Sequence, residues 1–327
     1  MDFTELVDLA AEKLGAAVLF ANDDFFAPKE NLLKPSAPIF IEDKYTDLGK
    51  WMDGWESRRR RTPGFDWCII RLGLPGIVRG VVVDTSFFRG NYPEQCSLEA
   101  CTLDGLPTVE ELTSEAIQWT EILPQSSLAG DSQNSFAIES EQRVTHLRFK
   151  IYPDGGVARL RVYGEVVPDW ERLKRIGGDV DLAAVESGGL VLDCSDMFFG
   201  HRHNLIMPGR AANMSDGWET KRRRGPGHDW TIIRLGRPGR IRRLEVDTAW
   251  FKGNFPESCT LEGCRTAGNV LPTSLDWKPV LARTKLQAHT RHFFEREVLD
   301  AGTVSHLRFN IFPDGGVSRL RVYGTLD

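Results

Sequence analysis

The chain has 327 residues, about twice the size of a common domain, so we expect two domains. A composition of 41% hydrophobic and 27% charged residues excludes a disordered chain, and no apolar stretch approaches the ~20 residues of a membrane-spanning helix. The net charge of -5 disfavours a nucleic-acid-binding protein. Because the start of the chain is acidic and amphipathic rather than signal-like, we expect a cytoplasmic protein that binds neither membranes nor nucleic acid.

The first predicted element is a short helix over residues 5–14, closed by Gly15. Short β-branched and aromatic segments then predict strands over residues 67–72, 77–84, 96–101, 117–123, 143–152 and 157–163. The last two form a hairpin through Asp154-Gly155. Its alternation predicts one apolar and one polar face, which carry respectively Leu147, Phe149, Ile151, Leu160 and Val162, and His146, Arg148, Lys150, Arg159 and Arg161.

The second half of the sequence repeats the first. Asp53-Gly54-Trp55-Glu56 recurs 163 residues later as Asp216-Gly217-Trp218-Glu219, while upstream motifs recur after 173 residues and downstream motifs after 160. The first copy therefore carries ten extra residues between Leu32 and Asp53. A repeat this long is a whole domain, so we predict domains over residues 1–165 and 179–327 with a linker at 166–178. Each is expected to be an all-β, antiparallel jelly-roll sandwich with a short N-terminal helix.

The densest polar segments span residues 53–67 and 216–230 and are predicted to be loops at the sandwich edge. Such loops on a rigid sheet often carry binding and catalytic groups. The candidates are the acids Asp53, Glu56, Asp216 and Glu219, the bases Arg58, Arg59, Arg60, Arg222 and Arg223, the aromatics Trp55 and Trp218, and His228 in the second copy only. The alternative is that the charged residues pair at the surface and the tryptophans fill the core.

Other recurring groups have simpler interpretations. Asp84-Thr85 with Gly90-Asn91, repeated as Asp247-Thr248 with Gly253-Asn254, is explained mainly by turn chemistry. His146 and His306 fit a general acid or an interface residue equally well. His201 and His203 resemble metal ligands, but the first copy has no histidine there, so we expect neither metal nor cofactor. The six cysteines are expected to be free thiols.

Three sequence words together resemble the allantoicase family: Met52-Asp53-Gly54-Trp55-Glu56-Ser57-Arg58-Arg59, Gly64-Phe65-Asp66-Trp67, and Asp84-Thr85 through Gly90-Asn91-Tyr92-Pro93. The resemblance covers both copies, including Gly227-His228-Asp229-Trp230 and Gly253-Asn254-Phe255-Pro256. It implies two galactose-binding-like sandwiches in a homo-oligomer. It also implies a hydrolase of linear amidines that converts allantoate to ureidoglycolate and urea in purine catabolism.

The resemblance also suggests roles for the candidates. The arginine runs would hold the substrate carboxylate, Asp or Glu would accept from the ureido N–H groups, and Glu219 or His228 would be the general acid. Lys44 and Tyr45, in the extra segment of the first copy, would complete a pocket there. Which copy works is left open. The rival interpretations are a non-catalytic module of this fold that binds carbohydrates or another small ligand, and a polyanion binder.

Overall fold

The computed structural model describes residues 2–327 except 104, 267 and 269–276. The chain divides into two compact units, Met1–Val167 and Pro168–Asp327. The first unit contains the helix α1 (Val109–Thr113), the 3-10 helices Phe3–Glu5, Glu12–Leu14 and Lys29–Leu33, and the strands β1 (Val7–Asp8), β2 (Ala17–Ala21), β3 (Tyr45–Thr46), β4 (Gly49–Lys50), β5 (Trp55–Glu56), β6 (Asp66–Asp84), β7 (Gln95–Cys101), β8 (Thr120–Ser127), β9 (Gln133–Ala137), β10 (Arg143–Tyr152), β11 (Gly156–Val157) and β12 (Arg159–Val166).

The strands of the second unit follow the order of the first, without a counterpart of the β3–β4 hairpin among the described residues. It contains the helix α2 (Trp170–Ile176), the 3-10 helices Val185–Ser187, Arg202–Ile206 and Met214–Asp216, and the strands β13 (Val180–Asp181), β14 (Leu190–Cys194), β15 (Trp218–Glu219), β16 (Asp229–Asp247), β17 (Ser258–Cys264), β18 (Lys278–Lys285), β19 (Arg291–Phe294), β20 (Thr303–Phe312), β21 (Gly316–Val317) and β22 (Arg319–Leu326). None of the helices in the described part of the chain is long and apolar enough to cross a membrane.

The long strand β6 reverses direction in its middle. Its first part pairs antiparallel with β10, from Asp66 opposite Ile151, and its second part pairs antiparallel with β12, ending with Asp84 opposite Arg159. Gly76 is the partner of residues at the far ends of both strands. Since β10 and β12 are joined by a short turn, both termini of β6 lie at the same end of the unit. We call this the loop end of the sandwich.

The reversal of β6 builds the two layers of the sandwich. One layer contains β2, the first half of β6, β10, β7 and β8, and the other contains β9, the second half of β6, β12 and β1. The apolar side chains between them are fully buried, and they include Ile70, Val83 and Leu98. The second unit has the same arrangement around β16. The prediction of tandem antiparallel jelly-roll sandwiches is therefore confirmed.

The strand pattern was predicted well and the helix was not. Leu147, Phe149, Ile151, Leu160 and Val162 are all buried, as their alternation predicts. Residues 5–14 do not form one helix, because Val7–Asp8 pairs with β12 and splits the segment into two 3-10 turns. The stretch 166–178, predicted as a linker, contains helix α2.

Two residues assigned to the polar face of the hairpin are in fact buried. His146 and Arg159 are each 1% exposed, because the imidazole hydrogen-bonds to Thr145 and the guanidinium pairs with Asp53. The hairpin turn has the expected positive φ at Gly155. All six cysteines are free thiols, as predicted.

Candidate active site

The short strands β5 and β15 each place one candidate acid at the loop end of their unit. β5 pairs with β11, so that Trp55 lies opposite Val157 and Glu56 opposite Gly156. Side chains alternate along a strand, so Trp55 enters the core while Glu56 points away from it. The indole of Trp55 is fully buried and donates to the Asp23 carbonyl at 2.8 Å. Trp218 is buried in the same way against Asp196, so both tryptophans are core residues and not substrate contacts.

Glu56 and its counterpart Glu219 share one environment. Glu56 is half-buried, and the Asn91 amide nitrogen donates to its Oε1 at 2.7 Å. Burial raises the pKa of Glu56, and the bond from Asn91 opposes that rise. Glu219 is buried, is hydrogen-bonded by Asn254 at Oε1, and also has a pKa raised by burial. Such carboxyls hold a proton to higher pH than exposed ones, which suits them to general acid chemistry.

The loop that follows β6 carries Asn91 to this position. The Asn91 carbonyl accepts from the Gly156 N–H at 2.7 Å, which ties the loop to β11. A Cβ at Gly156 would lie 1.9 Å from the Phe88 ring, so only glycine permits this close packing. Phe87 has a φ of 70°, a strained conformation for a bulky residue, and Trp250 repeats it with a φ of 71°. Strained backbone of this kind clusters at ligand sites.

A cavity of about 310 Å³ surrounds Glu56 in the first unit. It is lined by Phe26, Gly49, Lys50, Met52, Glu56, Phe87, Arg89, Gly90 and Asn91. The Lys50 ammonium lies 4.7 Å from the centre of the Tyr45 ring, and Arg89 is paired with Asp131 at 3.1 Å. The cavity thus offers two cations, an amide and one carboxyl beside apolar walls. Its size is at the small end of ligand pockets, which span about 300–1,000 Å³.

Most of the predicted arginines hold the loops rather than line this cavity. Arg58 pairs with Asp23 at 2.6 Å, Arg60 pairs with the buried Asp66 at 2.7 Å, and Arg223 pairs with Asp229. Arg59 and Arg222 are exposed, and neither lines the cavity around Glu56. The ion pairs of these arginines therefore stabilise the loops at the loop end. The cations that line the cavity are instead Lys50 and Arg89.

The predicted acids Asp53 and Asp216 are also engaged in ion pairs. Asp53 is buried against Arg159 at 2.7 Å and accepts from the Ile39 N–H at 3.1 Å. Burial alone would raise the pKa of Asp53, but the bonds from Arg159, Ile39 and Lys34 together lower it. Asp216 makes the matching pair with Arg319 at 2.9 Å. We therefore assign both aspartates to structural ion pairs.

Lys44 and Tyr45 lie on the extra segment but do not line the cavity described above. The Lys44 ammonium lies 3.7 Å from the Trp51 ring centre, and Tyr45 is exposed in the small β3–β4 hairpin. Their segment does contribute Gly49 and Lys50 to the wall. The expectation that this segment builds part of a pocket stays a prediction, with Lys50 as the residue involved.

His228 lies in a different place from Glu219. Its Nε2 is 3.2 Å from Asn310 Oδ1, and its ring packs against Phe312. It lines a separate cavity of the second unit, and Glu219 is not among the described residues of that lining. The two general-acid candidates of the second copy are therefore not brought together.

Sequence reasoning did not select Lys50, Arg89 and Phe87, which line the cavity, and it assigned Asn91 to a turn. A signal was present, because Gly90-Asn91 recurs as Gly253-Asn254 at the same offset as Glu56 and Glu219. The motif was interpreted as a turn, and its hydrogen bond from asparagine to glutamate was therefore not predicted.

A β-sandwich that holds a protonatable carboxyl in a small cavity with apolar walls is typical of small-molecule enzymes and binding proteins. Similarity to known proteins narrows this class. A family model described as "Allantoicase repeat" matches residues 7–167 and 180–327. The chain is 51% identical to a probable allantoicase of Photobacterium profundum, over 99% of this chain and 98% of the relative. The chain belongs to the allantoicase family.

Further relatives support the same assignment across the whole length. An allantoicase of Dictyostelium discoideum is 49% identical, over 98% of this chain and 87% of that protein. The crystal structure of an allantoicase from Saccharomyces cerevisiae matches with a TM-score of 0.83 at 38% identity, covering 98% of this chain and 93% of that one. The resemblance of the sequence motifs to the allantoicase family is thereby confirmed.

Proposed function

We propose that this chain hydrolyses allantoate to ureidoglycolate and urea, and that the cavity around Glu56 carries the reaction. The observation behind the proposal is a carboxyl with a raised pKa, held by an amide in a cavity with two cations, in a member of the allantoicase family.

The cavity suits the chemistry of the substrate. Allantoate is a small anion with one carboxylate and two ureido groups on a single carbon. Lys50 and Arg89 attract the carboxylate, and the Asn91 amide oxygen accepts a ureido N–H. Phe26, Met52 and Phe87 form the apolar wall that excludes bulk water and strengthens these interactions.

Glu56 supplies the proton that the leaving group needs. Because Asn91 holds Oε1, the proton resides on Oε2. The central C–N bond breaks as this proton passes to the ureido nitrogen, so that urea leaves neutral. A water oxygen bonds to the central carbon, and one water proton passes to the Glu56 carboxylate. The products are ureidoglycolate and urea, and the acid is regenerated.

We propose that the first copy is the working one. Glu219 and Asn254 reproduce the acid and the amide, but the stretch between Leu32 and Asp53 that contains Lys50 is ten residues shorter in the second copy, where no lysine stands. The Asn254 amide there also contacts the Met214 sulfur at 3.5 Å.

The test is urea release from allantoate by the purified chain, with Glu56→Gln and Glu219→Gln as a matched pair. We expect wild-type turnover, a loss of about 100-fold or more in Glu56→Gln, and little change in Glu219→Gln. A loss confined to Glu219→Gln would move the site to the second copy. A folded wild-type chain that releases no urea would overturn the activity and favour a binding module.

The compartment and assembly are further parts of the proposal. Six free cysteines, five of them buried, suit a reducing compartment, so we propose that the enzyme acts in the cytoplasm. We also propose a homo-oligomer. The exposed, mutually packed rings of Phe198 and Phe199 offer an apolar surface for a partner copy. Light scattering coupled to gel filtration measures this directly, and a monomeric mass would contradict it.

A further inference from the structure

A second cavity, of about 730 Å³, lies in the second unit on the face formed by β16, β17, β18 and β20. It is lined by Asp193, His228, Trp230, Ile232, Thr260, Glu262, Pro279, Leu281, Ala282, Arg308, Asn310 and Phe312. It shares no lining residue with the cavity around Glu56, and nothing in the proposed reaction uses it.

Hydrogen bonds fix the polar groups of this cavity. The Asn310 amide nitrogen donates to Thr260 at 2.9 Å and to Glu262 Oε2 at 3.0 Å. A carboxylate only accepts, so the Asn310 oxygen must face His228 Nε2, which therefore donates across 3.2 Å. Arg308 Nε donates to the same Glu262 oxygen at 2.7 Å.

These contacts leave part of the network available to a ligand. Both of these bonds to Glu262 fall on Oε2, so among the described residues Oε1 remains as an acceptor. The Arg308 guanidinium, bonded through Nε, keeps its outer N–H groups for an incoming carbonyl. An acceptor and a donor thus stand side by side on the sheet.

In the first copy protein side chains engage the equivalent carboxylate, Glu99, an arrangement that we call closed. Lys150 stands where the second copy has Asn310, and Phe65 stands where it has His228. The Lys150 ammonium contacts Glu99 Oε1 and lies 5.1 Å from the Phe65 ring centre, while Arg148 contacts Oε2. Both carboxylate oxygens of Glu99 are therefore occupied by the protein itself. The exchange of lysine for asparagine frees the equivalent oxygen of Glu262.

The walls indicate the kind of molecule that fits. Trp230 and Phe312 provide aromatic surface, and the His228 ring extends it with a centroid distance of 4.7 Å to Phe312. Ile232 and Leu281 add apolar contact. The lining disfavours an anion, because it contains the two carboxylates of Glu262 and Asp193 and only one arginine. A flat, uncharged molecule with a polar edge meets all three conditions.

We propose that this cavity is a second ligand site, and that it binds an uncharged planar heterocycle whose ring carries an N–H next to a C=O. The ring N–H donates to Glu262 Oε1, the carbonyl accepts from Arg308, and the ring face packs on the aromatic wall. The site is specific to the second copy and independent of urea release.

The experiment measures uracil binding to the full chain by calorimetry and ligand-observed NMR. 1,3-Dimethyluracil is the matched ligand, because it keeps the ring and carbonyls but has lost both N–H groups. Asn310→Lys reproduces the closed arrangement of the first copy, and Lys150→Asn is its matched control. Glu262→Gln is a second variant that alters the same acceptor without adding bulk.

We expect uracil to bind the wild-type chain, and to bind Lys150→Asn at least as well, since that change keeps the second-copy site and frees Glu99 Oε1 in the first copy. Binding should weaken about tenfold or more in Asn310→Lys, which occupies the acceptor, in Glu262→Gln, which removes the charge of the acceptor, and with the dimethylated ligand, which lacks the donor. Circular dichroism and melting temperature confirm that each variant is folded. Absence of uracil binding to the wild-type chain, or equal binding of the dimethylated ligand, would overturn the proposal. Loss of binding in Lys150→Asn alone would place the site in the first copy.

Discussion

The Asn91 amide nitrogen donates a 2.7 Å hydrogen bond to Oε1 of Glu56. Asn254 makes the same bond to Glu219 in the second unit. The partners are 35 residues apart in each copy, and they meet because the reversal of the long strand brings their loops to one end. The amide fixes the carboxyl rotamer and opposes the effect of burial on its pKa.

Replacing Asn91 by leucine should move the pH profile of urea release. The substitution removes the bond that lowers the pKa of Glu56, so burial raises that pKa further. A general acid works only when protonated, and activity is lost as the pH rises through its pKa. The alkaline limb of the profile of kcat should therefore shift to higher pH, with a loss of about tenfold in maximal rate. Asn254→Leu is the control, and an unshifted limb in Asn91→Leu would show that Glu56 is not the acid.

Lys50→Met should impair substrate binding more than chemistry. Lys50 lines the cavity and supplies one of its two positive charges. Its loss removes attraction for the substrate carboxylate in both the ground state and the transition state, so KM should rise about tenfold while kcat changes little. Lys44→Met is the matched control, because Lys44 lies over the Trp51 ring and outside the cavity lining. Equal effects of the two variants would mean that Lys50 acts only through the net charge of the protein and not through contact with the substrate.

Asp53→Asn should destabilise the first unit strongly. Arg159 is 1% exposed and its only carboxylate partner in the described chain is Asp53, so the substitution leaves a buried guanidinium without a counter-charge. Breaking such a pair costs about 3–5 kcal/mol in the free energy of unfolding. Asp300→Asn removes the exposed pair with Arg240 and should cost less than about 1 kcal/mol. Denaturant unfolding compares them, and similar losses would contradict a structural role for the buried pair.

Asp181 should make the stability of the second unit depend on pH. Burial raises the pKa of Asp181 to about 6, against 3.8 for an unperturbed aspartate. The folded state holds the Asp181 proton more tightly than the unfolded state does. The contribution of this proton to the free energy of unfolding is therefore fully present below about pH 4 and is lost as the pH rises through about 6. In Asp181→Asn the free energy of unfolding should lack this decline, a difference of at most about 3 kcal/mol.

The asparagine is a fair replacement for Asp181. Its Oδ1 can accept from the backbone N–H groups of Val322 and Ala183, as the Asp181 oxygen does at 2.9 and 3.3 Å. Denaturation at several pH values from 4 to 7 measures the difference between the two chains. A difference that does not vary over this range would contradict the raised pKa.

The fold was predictable where local pattern decides it. Alternation along β10 and β12 predicted which face is buried, because a strand exposes successive residues to opposite sides. Residues 5–14 have a helical pattern, but pairing of Val7–Asp8 with a strand more than 150 residues away overrode it. Tertiary contacts of this kind leave no local signal.

The candidate site was only partly predictable for the same reason. Glu56 and Glu219 were recognised because acids beside tryptophans recur in both copies. Whether an arginine beside an acid binds substrate or closes a loop depends on the three-dimensional direction of both side chains, and Arg60 and Arg223 proved to close loops. Lys50 and Arg89 come from separate segments that meet only in the folded unit.

The reversal of β6 gives the first unit two ends, one that forms the cavity and one where the chain leaves the unit. The residues that line the cavity lie at the end of the unit that holds Asp66 and Asp84. The chain leaves the unit from Val166, which pairs with Gly76 at the opposite end. The chain therefore leaves the first unit at the end opposite to the cavity around Glu56.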